Sequence, residues 1–511
     1  MKIEEICALG IYFAALLAIG LYFFFRDSKK GGMGEKDYFL GGRNMNGWVS
    51  ALSAGASDMS AWVLMGLPGA IYLYGVGQIW IAVGLIAGTV LAWLFIAPVL
   101  RRYSMLAGDA ITIPQFLSNR FLSRRRGILL VSAVVFMVTY CIYAASSIYA
   151  CGTLFNTVLG MDPRIAMVTA SVVIVAYTFL GGYNAVCWTD FFQGLLMLGA
   201  LLLVPIIALA VMNSSGFSVP EYSIPENYFN ILSGGKADWR SFADIVSGMA
   251  WGLGYFGMPH IIIRYISVKN EREMKKSRII GCIWIFVILF ASCAVGLLGR
   301  FFFGDALADI KDGNTLVFIN MIRDVFHRIG EWSGWTAFCI FAAGILLSAV
   351  LAAAMSTADS QLLASSSAFA SDMYKPLFRP GASDREMLWA GRFVVLIIAA
   401  AAFIIASSPG CKGIMNLVSC AWGAFGAAFG PVIILALYWR RLTYNGAFAG
   451  IIAGFVVDAL WYWYLADKTG IYEILPGFLA GLIAAVAVSA ADKKPDAEVI
   501  LLFERSRHPV D

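Results

Sequence analysis

Thirteen apolar runs, each long enough for a helix to cross a bilayer, dominate this 511-residue chain. They fall at roughly 6–25, 47–75, 78–98, 127–158, 163–181, 189–212, 241–267, 279–303, 333–368, 388–407, 414–438, 445–465 and 470–490, numbered here as spans 1 to 13. Hydrocarbon offers no water to backbone N–H and C=O groups, so runs of this kind must close their hydrogen bonds internally, as helices. About 20 residues reach across the core. Composition agrees: 60% of residues are hydrophobic and only 14% charged, against about 25% charged in a soluble domain. The expectation is an all-α polytopic membrane protein.

Charge orients the bundle. The loops after spans 1, 3, 7, 9 and 11 and the tail hold most of the Lys and Arg, for example Arg101, Arg102, Arg120, Arg124, Arg125 and Arg126 after span 3. Basic loops stay in the cytoplasm. The N-terminus is therefore expected outside and the C-terminus inside, which requires an odd number of spans. Acidic Glu4 and Glu5 precede span 1, the reverse of a signal peptide's charge order, so span 1 is expected to be retained. The nine cysteines are scattered without a CxxC pair and only three histidines occur. Neither a disulfide framework nor a zinc or haem site is suggested. The net charge of +5 does not point to nucleic acid, and no obligate protein partner is evident.

Two spans carry helix breakers. Span 2 contains Ser53-Ala54-Gly55-Ala56-Ser57-Asp58-Met59-Ser60, then Gly66-Leu67-Pro68-Gly69. Span 7 contains Trp251-Gly252-Leu253-Gly254-Tyr255-Phe256-Gly257-Met258-Pro259-His260. Each Gly costs a helix about 1 kcal/mol and Pro about 3. The two segments lie five spans apart, so they cross the membrane in opposite directions. Interrupted spans at matching positions are the sequence signature of an inverted-repeat transporter; the alternative is that the glycines only permit close helix packing. The expected division is 1–45, an extra helix and cytoplasmic loop; 46–212, a first repeat of spans 2–6; 213–240, an extracellular loop; 241–440, a second repeat of spans 7–11; 441–490, two peripheral helices; and 491–511, a cytoplasmic tail.

Polar groups inside the apolar runs mark candidate function. Asp58 is a carboxylate at bilayer depth, where an acid is costly and its default reading is functional. On span 9, Ala353, Ser356, Thr357 and Ser360 share one helical face, followed by Asp359 in the same turn. Hydroxyl and carbonyl oxygens suit an alkali cation better than zinc or copper, although a Ser/Thr stripe also joins helices by hydrogen bonds. Trp62, Tyr143, Trp251 and Tyr255 are aromatic near the expected centre, as ligand contacts or as packing. Asp190 is a helix-end acid or an inner cation ligand. Arg43 is a positive-inside anchor, a member of a gating ion pair, or both. No nucleophile–base pair or phosphate loop is visible, and an enzyme has little support.

These residues carry a resemblance. Gly41-Gly42-Arg43, the run from Ala51 to Ser60 and Trp62 through Gly69 resemble the sodium/solute symporter family, over nearly the whole chain. The Trp251–His260 motif and Met355-Ser356-Thr357 are similar to its sodium/proline branch. The resemblance implies a 5+5 inverted-repeat (LeuT-type) core of about 13 helices, with helices 2 and 7 broken. It also implies a multi-pass protein of the bacterial inner membrane, with sodium as coupling ion and no organic cofactor. The implied sodium ligands are Ala56, Met59, Ala353, Ser356 and Thr357, with Asp58, Ser60, Asp190, Asp359 and Ser360 as further sodium-linked positions. The implied solute contacts are Tyr143, Trp251, Tyr255, Pro259 and Trp62, and Arg43 is tied to coupling. Asp359 departs from relatives that carry a small or hydroxyl residue there, which leaves one or two sodium ions open. The expected activity is symport of L-proline with sodium by alternating access. The alternatives are symport of another solute (pantothenate, a sugar, an organic acid or another amino acid) or a sensor on the same fold, against which stands the short tail after 491.

Overall fold

Ten helices among the described residues have the length and apolarity of a membrane crossing. They coincide with spans 1, 3, 4, 6 and 8 to 13. This computed structural model describes residues 3–28, 35–214, 217, 224–232, 235–310 and 312–507. Parts of the loop after span 1, of the 213–240 loop and of the tail lie outside these residues. No strand occurs in the described residues, and one isolated bridge pairs Met45 with Val268.

Spans 2, 5 and 7 are built from shorter pieces. In span 2 the helix Gly47–Asp58 stops at Met59, whose ψ of 72° leaves the helical range. A π-helical turn Trp62–Gly66 and the helix Leu67–Tyr74 follow. In span 7 the helix Trp239–Ala250 passes into a 3-10 segment, Trp251–Phe256, and then the helix Pro259–Ser267. Span 5 begins at Pro163 and joins span 6 through Gly182 at φ 58°, a left-handed conformation that favours glycine.

The span 7 glycines do more than interrupt. A Cβ on Gly252 would lie 2.2 Å from the Gly84 carbonyl of span 3, and one on Gly254 would lie 2.0 Å from the Trp422 indole of span 11. Close packing and helix interruption, set out above as alternatives, coincide at the same residues.

Burial ranks the spans. The apolar windows of spans 9 and 11 are 78% and 83% buried, against 33% for spans 1, 10, 12 and 13. The first pair forms the centre and the second group the rim. Helix starts are capped where backbone donors would otherwise be orphaned: Asn46 accepts from Val49 N at 3.0 Å, Asn270 from Glu273 N at 2.9 Å and Thr443 from Gly446 N at 3.1 Å.

Three segments read as loops or tail contain helices. Val317–Ser333 buries Val317, Phe318, Met321, Ile322 and Val325 on one face. Its apolar stripe follows helical spacing, but its polar face keeps its hydropathy below that of a span. Ile113–Arg120 and Ala497–Arg505 lie on the basic side. Arg120, counted above with the basic loop, is fully buried between the Tyr103, Phe121 and Phe503 rings and donates to the Ala436 carbonyl at 3.1 Å. Span 9 also runs further than expected: Thr336–Ser367 continues as a π-helical stretch, Ala368–Phe378.

Candidate functional site

The break in span 2 faces span 9. Ser356 Oγ donates to the Ala56 carbonyl at 2.8 Å and lies 3.2 Å from the Ala353 carbonyl, to which Thr357 Oγ1 donates at 3.1 Å. Four oxygens from residues about 300 positions apart thus meet in one buried spot. Ala56 is in the last turn before the break, so its carbonyl is one of those a helix end leaves without an intrahelical donor. Met59 is the turn residue of the break, with its N–H bonded to the Gly55 carbonyl at 2.9 Å.

Asp58 joins the two interrupted spans. Its Oδ2 accepts a hydrogen bond from the Tyr255 hydroxyl, and its Oδ1 has no partner. Its main-chain carbonyl takes the Trp62 indole N–H at 3.1 Å. The Tyr143 hydroxyl lies by Ser60 and makes no hydrogen bond of ordinary geometry. Trp62 and Trp251 face each other at 6.2 Å between ring centroids. Tyr472 packs against Trp251 at 5.2 Å with the ring planes inclined by 31°, and Trp422 meets Tyr255 edge-on at 5.2 Å while donating to the Trp251 carbonyl at 2.7 Å. Asp58, Ser60, Trp62, Tyr143, Trp251 and Tyr255 therefore form one neighbourhood, beside the four-oxygen spot. Pro259 begins the lower helix of span 7 and lines a separate cavity with Arg264, Ser360 and Phe136.

One turn further toward the basic side lies a buried ion pair that the sequence reading missed. Arg264 Nη2 contacts Asp190 Oδ2 at 3.0 Å and Ser360 Oγ at 2.5 Å. Its Nε donates to Ser53 Oγ at 3.1 Å and its Nη1 to the His260 carbonyl at 2.6 Å. Ser53 in turn donates to Asp190 at 2.6 Å. One guanidinium thus ties spans 2, 6, 7 and 9. Asp190 and Ser360 are held by protein cation and hydroxyl groups, and Ser360 Oγ also reaches Asp359 Oδ1 at 3.3 Å. Arg264 was passed over because it stands at the end of an apolar span, where an arginine reads as an interfacial charge. Trp422 and Tyr472 were missed because single aromatics in membrane helices carry no signal of their partners.

On the basic side the segment Gly41-Gly42-Arg43 runs with φ of 63°, 63° and 56°. A Cβ on Gly41 would lie 2.6 Å from Asn184 Oδ1, so the turn requires glycine. It aims the Arg43 guanidinium inward, where it pairs with Asp109 at 2.8 Å and bonds Ser104 Oγ and the Ala110 and Ile266 carbonyls. Burial pushes the Arg43 guanidinium below its usual value and Asp109 raises it again; arginine nonetheless stays charged throughout the physiological range. Arg101 adds bonds to the Val268 and Lys269 carbonyls at 2.7 and 2.8 Å. These bonds tie the Gly41–Arg43 turn to the helices Ala97–Leu106 and Pro259–Ser267.

The all-helical bundle with its interrupted helices has the LeuT-type fold. It superposes on a Na+-coupled sialic acid symporter in a substrate-bound outward-open state with a TM-score of 0.77, at 22% identity, covering 96% of this chain and 99% of that one. The chain belongs to the sodium:solute symporter family, whose model matches residues 38–454. It is 41% identical to the high-affinity proline transporter PutP of Bacillus subtilis (strain 168) over 95% of this chain and 97% of that protein. It is 39% identical to the sodium/proline symporter of Staphylococcus aureus (strain USA300) over 96% and 93%.

Proposed function

We propose that this chain is a plasma-membrane symporter that accumulates L-proline by coupling its entry to sodium. The observation that carries the reading is near-full-length identity of about two residues in five to proteins named for proline transport. Alternative solutes of the same fold have no such support. The N-terminus outside and C-terminus inside, and the repeats 46–212 and 241–440, belong to the same proposal.

Sodium is a cargo here. Ala56, Ala353, Ser356 and Thr357 are the oxygens proposed to receive it, with Met59 completing the set. Hydroxyls that now donate to carbonyls can rotate so that their lone pairs face a cation. An ion there would bind the end of the Gly47–Asp58 helix to span 9 and fix the interrupted backbone. That backbone, with Asp58 steered by Tyr255, would then meet the charged ends of the imino acid. Trp62, Trp251, Tyr255 and Tyr143 would surround its ring, whereas Pro259, on the separate cavity beside Arg264, would act only by starting the helix below the 3-10 segment. Each cargo stabilises the arrangement that the other needs, so proline should tighten sodium binding and the reverse by the same factor. Release inward would require the Arg43–Asp109 tie to open. Each sodium carried inward gains about 2.3 kcal/mol per 100 mV.

The test is uptake of labelled proline into proteoliposomes under an imposed sodium gradient, a potassium gradient or a proton gradient. Accumulation under sodium alone is the expected result. Equal uptake under all three would sink the coupling. Failure of unlabelled proline to compete, with competition by another solute, would sink the substrate.

A further inference from the structure

Outside the transport site, the rim of the bundle buries two acids together. Asp458 of span 12 is 3% exposed and Glu473, at the start of span 13, 4%. Both converge on Gly423 of span 11: a point one bond from its Cα lies 2.8 Å from Asp458 Oδ1 and 3.3 Å from Glu473 Cγ. The helices meet this closely because glycines line the seam. A Cβ on Gly454 would lie 2.1 Å from the Ala427 carbonyl, and one on Gly477 2.8 Å from Asp458 Cβ. Asp458 Oδ1 and Glu473 Oε1 are buried without a hydrogen-bond partner.

The groups that might satisfy these oxygens are turned elsewhere. The Tyr472 hydroxyl donates to the Ser419 carbonyl at 2.7 Å and the Tyr462 hydroxyl to Asn416 at 2.8 Å. The other titratable groups facing the pair are Cys420 on span 11, Tyr462 on span 12, Asp467 beyond it and Tyr472 beside span 13. None is basic. Lys412 stands 6.0 Å from the Tyr462 ring and forms no ion pair with either acid among the described residues. No group of three or more metal-ligating side chains occurs among the described residues.

Two carboxylates buried against the same glycine cannot both hold a charge without a counter-ion, because each loses its hydration and feels the other's charge. A proton bound by either acid removes one of the two charges. We infer that Asp458 and Glu473 form a proton-binding site that holds spans 11, 12 and 13 together. Tyr472, the neighbour of Glu473, packs against Trp251, so the site adjoins one wall of the aromatic neighbourhood.

A proton that this site takes up on folding makes the folded chain less stable as pH rises. The test is the thermal midpoint of the purified full-length protein, followed from about pH 5 to about pH 8. The wild type should lose several degrees, and E473Q, isosteric with the protonated acid, should keep at the upper pH the midpoint that the wild type shows at the lower. D458N/E473Q should lose the slope as well. Infrared spectra of the wild type should show a protonated-carboxyl C=O band that E473Q or D458N removes, a readout indifferent to any change in stability. A wild-type midpoint that does not move with pH, or an unchanged carboxyl band in both variants, would overturn the assignment. So would stabilisation by sodium or calcium at the upper pH that the double variant abolishes, because the ligand would then be a metal cation.

Discussion

Single hydroxyls would decide the proposed cation spot. Ser356→Ala removes the donor to the Ala56 carbonyl and Thr357→Ala one of the two donors to Ala353. A hydrogen bond of this kind contributes about 1 kcal/mol net to stability, so both variants should fold. A lost cation ligand acts instead on binding. Half-saturating sodium in uptake should rise at least about tenfold, equivalent to 1.4 kcal/mol, with the thermal midpoint nearly unchanged. Unaltered sodium dependence in both would remove these residues from the site. Tyr255→Phe is the matching test on the solute side. It leaves Asp58 without its phenol donor, and a bond to a charged acceptor is worth about 1.5–3 kcal/mol. Half-saturating proline should increase by about ten- to a hundredfold; a change in maximal rate alone would count against a role in binding. Asp58, Ser356, Thr357 and Tyr255 stand out in the sequence as polar atoms in apolar runs. Arg264 was not, because its counter-ion Asp190 lies 74 residues away and no local pattern links them.

At the scale of elements, span 7 works by its missing side chains. Gly254→Ala would place a methyl 2.0 Å from the Trp422 indole, too close for any contact. Overpacking of this sort costs typically about 1–3 kcal/mol. The variant should lower the thermal midpoint and weaken proline binding together. If it leaves both unchanged, the 3-10 segment is not wedged against span 11 as described. The glycines and proline marked the interruption in advance, since their cost to a helix is local. Their second use, letting spans 3 and 11 touch the backbone of span 7, became visible only with those neighbours in place.

At the scale of the whole molecule, Arg43 and Arg264 tie distant helices together at two depths. Alternating access would require those ties to break and re-form. Ser367 lines the cavity beside Arg264 and is nearly buried, so it can report access. In a background without the nine native cysteines, S367C should react slowly with a membrane-permeant thiol reagent. Adding R43A should speed labelling several-fold, because the four hydrogen bonds of the Arg43 tie are lost. Equal labelling rates would show that Arg43 only anchors the loop.

The helical class, the position of most apolar runs and the two interrupted segments were determined by the sequence alone. Backbone hydrogen bonding in hydrocarbon and the helix cost of Gly and Pro act within a few residues, so a linear reading captures them. The amphipathic helix Val317–Ser333 escaped that reading, since half its surface is polar. Only the tertiary structure decided which groups meet: Ser356 with Ala56, Trp251 with Trp422 and Tyr472, Arg264 with Asp190, and Asp458 with Glu473. Those pairings depend on how closely small residues let distant helices approach, and that distance is a property of the packed bundle.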